Sequence, residues 1–134
     1  MELVSHFCAN PALMCRPPQE IFRIARMLLT DIELWSQGAR ARDEDGHPCL
    51  PHDARACQWS MNGALAIASN PYGITPPALL ELLDGIVKEW KLVERLYLEG
   101  GVELWETCDD FNDHRPHRFV LALLDEAAAR AATL

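Results

Sequence analysis

Cys57-Gln58-Trp59-Ser60-Met61-Asn62-Gly63-Ala64-Leu65 sets bulky side chains directly beside very small ones. A helix carries that pattern when another backbone packs closely against it, because glycine and alanine let the two chains approach. A second stretch, Asp110-Phe111-Asn112-Asp113, stands just ahead of the last helical segment. Its side-chain oxygens fall where a helix start needs acceptors. The two stretches read as halves of one core, and they argue for a specific small fold without naming an activity.

Working outward from the first stretch, a helix is expected over residues 53–69, with Asp53 as its N-cap. Cys57, Met61, Ala64, Leu65 and Ala68 form its stripe. Trp59, Ala66 and Ile67 extend apolar character around the cylinder, which makes this helix central. Gly63 costs about 1 kcal/mol of helix propensity against alanine, and close approach of a neighbouring helix is the expected compensation. Upstream, Ile21, Ile24, Ala25, Leu28, Ile32 and Trp35 share one face of a helix over residues 19–35, with Gly38 as terminator. In the polar connection, residues 40–44 and 47–50 are expected to pair as a small hairpin around Asp45-Gly46.

Downstream, Asn70-Pro71-Tyr72-Gly73 breaks the chain. Thr75-Pro76 reads as cap and first residue of a third helix carrying Leu79, Leu83, Ile86, Trp90, Val93 and Tyr97 on one face. Gly100-Gly101 ends it, and residues 102–105 form a short extra turn. The last helix covers residues 116–131, with Val120, Leu123, Leu124, Ala127 and Ala131 inward and with Asn112-Asp113 capping its start. The expected fold is all-α, a compact bundle of four principal helices plus one short turn. Residues 19–134 make a single helical domain behind an irregular arm at 1–18, which packs through Val4 and Phe7.

With 134 residues, 49% of them hydrophobic and 24% charged, the chain suits one soluble domain with a real core. No apolar run reaches the roughly 18 residues a membrane span needs, and no secretory signal is visible, so a cytoplasmic location and no membrane partner are expected. The net charge of −8 disfavours nucleic acid as a ligand and suits a basic protein partner. Five cysteines, an odd number with no Cys-x-x-Cys, argue against a disulfide framework.

Several features together resemble an uncharacterised family of small bacterial and bacteriophage proteins of unknown function. They are Trp35 followed by Gly38, an Arg/Asp-rich loop turning at Gly46, the Cys57-x-Trp59 and Gly63-Ala64 pairs, and Phe111-Asn112-Asp113 before an alanine-rich last helix. The resemblance covers residues 21–131 and leaves the arm with Cys8 and Cys15 outside. It implies an intracellular domain, phage-linked in some cases, and carries no activity with it.

Two clusters offer chemistry. His47, Cys49, His52 and Cys57 supply the ligand types of a tetrahedral zinc site, but Pro48 and Pro51 restrict the loop and the spacing is no recognised signature. An ordinary loop beside a core thiol is the favoured reading. Asp109, Asp110 and Asp113 offer oxygens for a divalent cation, yet no Asp-x-Asp-x-Asp-Gly loop is present, and helix capping is favoured. Cys57 or Cys108 with His114 or His117 and Asp113 supplies the parts of a thiol–imidazole pair without a surrounding signature. Trp35, Trp59, Trp90 and Trp105 are expected in the core, an exposed one marking a partner anchor. The resulting expectation is an intracellular protein-interaction or regulatory module, phage-associated in one reading, with no assigned catalysis and no cofactor. A small zinc-binding or hydrolytic protein built on His47, Cys49, His52 and Cys57 is the alternative.

Overall fold

The structure, a computed structural model, describes residues 13–97 and 106–133. Val4, Phe7, Cys8, Trp105 and the turn expected at 102–105 lie outside them. The described chain is mostly helical and also contains a three-stranded antiparallel sheet, so the all-α expectation is corrected. Its helices are α1 (Pro18–Leu29), α2 (Met61–Ser69), α3 (Pro77–Tyr97), α4 (Cys108–His114) and α5 (His117–Ala131). The strands are β1 (Ala41–Arg42), β2 (Pro48–Cys49) and β3 (Gln58–Trp59).

α1 stops well before Trp35. Thr30 bonds back to the carbonyl of Arg26, and Asp31 then accepts from the Glu33 N–H to start a single 3-10 turn, Ile32–Leu34. The chain is redirected there, so Ile32 becomes exposed, and the buried face of α1 is Ile21, Phe22, Ala25 and Leu29. Met14 packs on this core, and the Cys15 N–H reaches the Ser69 carbonyl, which ties the segment before α1 to the end of α2.

The hairpin forms as expected, with Ala41 opposite Cys49 and Arg42 opposite Pro48. Gly46 adopts φ +81°, a turn geometry that L side chains resist. A third strand was not foreseen. Gln58–Trp59 pairs with the other edge of β1, giving the order β2-β1-β3. The first part of the helix expected over 53–69 is therefore loop and strand, and Ser60 is the true N-cap, accepting from the Gly63 N–H at 3.1 Å. Asp53 instead holds Arg55, whose guanidinium and backbone N–H bonds bring its carboxyl down to about 2.

α2 is central. Met61, Ala64, Leu65, Ala66 and Ala68 are all buried, and α1 packs across it and along α5. α3 starts at Pro77, one residue later than expected, because Thr75 is engaged elsewhere: its hydroxyl donates to the Asn62 carbonyl at 3.0 Å. Leu79, Leu83, Ile86 and Val87 of α3 are buried, while Val93 faces outward at 53% exposure. α5 buries every residue assigned to its inner face, Val120, Leu123, Leu124, Ala127 and Ala131. α4 is an additional helix where only a cap was expected. A capping box, in which Thr107 and Asp110 exchange bonds, starts it.

Candidate functional site

The Trp35, Asn112 and Gly63 motif builds a joint between distant parts of the chain. α4 carries Asn112 into the interior, where it is 1% exposed. Its Oδ1 accepts from Trp35 Nε1 at 2.8 Å and from the Met61 N–H at 3.0 Å. Its Nδ2 donates to the Ser36 carbonyl at 3.0 Å and to Asp113 Oδ1 at 3.1 Å. Asp113 Oδ1 also accepts from the Gly38 N–H at 2.8 Å. The Asn112-Asp113 pair thus does not cap the last helix, whose N-cap position is Pro116 with no side-chain bond. It clamps the 35–38 segment and the start of α2 to α4. His117 closes the joint, with its ring 5.3 Å from that of Trp35 and its Nε2 2.6 Å from the Leu29 carbonyl.

Gly63 meets the backbone of Arg40, not a helix. A Cβ on Gly63 would lie 1.9 Å from the Arg40 carbonyl oxygen, which also accepts the Ser60 N–H. Ala64, beside it, is fully buried against the core. Arg40 spans the joint: its Nη2 donates to the Gly73 carbonyl at 2.7 Å and to Thr75 Oγ1 at 3.1 Å. A polar recess of about 230 Å³ opens here between Arg40, Ser60, Asn62, Asp109 and Asp113. Asn62 Nδ2 crosses it to Asp109 at 3.2 Å.

The Cys/His cluster is not brought together. His52 Nε2 lies 2.8 Å from the Asn70 carbonyl, and the Cys57 thiol points at the Arg42 carbonyl 3.6 Å away. His47 sits at the exposed hairpin tip and Cys49 on β2. Among the described residues, Asp43, Asp45 and His47 form the one group of three whose ligand atoms all lie within 4.8 Å of one another, and Asp43 Oδ1 there accepts the Asp45 and His47 N–H bonds of the turn. Burial, with Asp84 beside it, pushes the Cys108 thiol far above the usual range and keeps it protonated. His114 and His117 are turned to the Asp110 and Leu29 carbonyls, so no thiol–imidazole pair forms from Cys108.

Trp59 is half-buried, with Nε1 on the Pro51 carbonyl at 2.9 Å. Trp90 is different. It lies at the edge of an open groove of about 230 Å³ formed with Val93 of α3, Phe111 of α4, Arg115 and Phe119 of α5. Phe111 is the floor, its ring 5.9 Å from that of Trp90. Phe119 is 41% exposed, and the Arg115 guanidinium lies 5.3 Å from the Phe111 ring centre. Arg115 Nη2 bonds Glu106 at 2.9 Å, and Lys91 Nζ reaches the same carboxylate at 3.1 Å. Sequence reasoning missed this groove. Val93 shares its expected helical face with the buried Leu79, Leu83 and Ile86, and Phe119 belongs to no expected stripe. The available signal was that Phe119 stands off the Val120/Leu123/Leu124 stripe.

Burial pushes the Glu106 carboxyl up, but Arg115 and Lys91 outweigh that and hold it below the usual glutamate range. Its folded value is depressed, so its stabilisation is present above the unfolded value of about 4.3 and is lost as the pH falls through the folded value. Melting curves of wild type and Glu106→Gln should therefore differ near neutrality and converge on acidification. A gap that stays constant down to about pH 3 would mean the ion pairs contribute nothing.

The architecture is a helix-rich domain with a small three-stranded sheet, knit by a buried asparagine and open at an aromatic groove. The chain belongs to a family of unknown function (DUF6197), whose model matches residues 14–130. The family assignment expected from the motifs holds, and the matched span includes Cys15, which the sequence reading had placed outside. No curated protein and no solved structure matches the chain. Among the described residues, no helix is long and apolar enough to cross a membrane.

Proposed function

We propose that this protein is an intracellular interaction or regulatory module, of bacterial or bacteriophage origin, that binds a protein partner through the groove between α3, α4 and α5. The observation that carries the reading is an open recess in which Val93 and Phe119, at 53% and 41% exposure, flank half-buried Trp90 over the buried ring of Phe111. Aromatic side chains in a partly enclosed recess are the usual anchors of a protein interface. Its volume, about 230 Å³, falls below the roughly 300–1,000 Å³ of small-molecule pockets, so it suits a side chain better than a cofactor. Free thiols at Cys15, Cys49, Cys57 and Cys108 suit a reducing, cytoplasmic compartment. The net charge of −8 favours a basic protein partner and disfavours nucleic acid. The zinc alternative at His47, Cys49, His52 and Cys57 would need His52 and Cys57 to leave the Asn70 and Arg42 carbonyls.

Phe119→Asp is the test. The position lies in the first turn of α5, where a carboxylate suits the helix dipole, so the fold is expected to lose no more than about 1 kcal/mol. Affinity capture from the native host should lose a partner with this variant and keep it with Met27→Asp, a control at an exposed residue on α1. Equal capture by both variants would remove the groove from the function.

A further inference from the structure

We draw no further inference here: the strongest candidate, the Asp43, Asp45 and His47 cluster at the tip of the β1–β2 hairpin, is a largely exposed acidic cluster whose hydrogen bonds close the turn, and no second observation among the described residues points to a cation there.

Discussion

Asn112→Ala should lower the unfolding free energy by about 4 kcal/mol, because three buried groups lose their partner together and each orphaned group costs roughly 1–3 kcal/mol. These are the Trp35 indole N–H, the Met61 N–H and the Ser36 carbonyl. Asn112 thereby ties two separate segments, residues 35–36 and the start of α2, to α4. Asn112→Asp keeps the shape but removes the donor to Ser36 and sets a second carboxylate against Asp113, so it should not rescue. The midpoint of urea unfolding reads both variants. A loss below about 1 kcal/mol in the alanine variant would mean that water replaces Asn112 and that the joint is dispensable.

Gly63→Ala should lower stability by about 3 kcal/mol, against the usual sign for this exchange in a helix. Alanine ordinarily gains about 1 kcal/mol there. Here its methyl would lie 1.9 Å from the Arg40 carbonyl oxygen and 2.9 Å from the carbonyl carbon, and backbone cannot rotate aside as a side chain can. Moving Arg40 also strains the Ser60 N–H bond to the same oxygen and the entry to β1. A melting temperature lower by roughly 10 °C is expected. An unchanged or raised value would show that the close approach relaxes without cost.

Parts of this fold are readable in the chain because they are local. The α5 stripe, the α2 stripe from Met61 onward and the Asp45-Gly46 hairpin each follow from spacing or turn chemistry over a few residues. The failures are non-local. Cys57 and Met61 stand four apart and fit a helix, yet the backbone at 58–59 finds a better partner in the free edge of β1. Ile32 and Trp35 fit the α1 stripe, yet Thr30 and Asp31 turn the chain with side-chain bonds that no periodicity reveals. Asn112 looks like a cap because asparagine usually is one. Its real partners lie 51 to 77 residues away in sequence.

The same distinction explains the candidate sites. The Cys/His cluster is compact in sequence and dispersed in space, since His52 and Cys57 are each taken by a backbone carbonyl. The groove is dispersed in sequence and compact in space. Trp90 and Val93, Phe111, and Phe119 come from three helices, and no local pattern joins them. The motif residues Trp35, Gly63 and Asn112 serve the joint. The groove proposed as the docking face shares Phe111 with that motif and is otherwise built from residues outside it.

A photo-crosslinking residue placed at Val93 in the native host tests that division most directly, with the same probe at exposed Met27 as reference. The account predicts one discrete protein adduct from position 93, abolished by Phe119→Asp, and none from position 27. No adduct from position 93, or the same adducts from both positions, would contradict it.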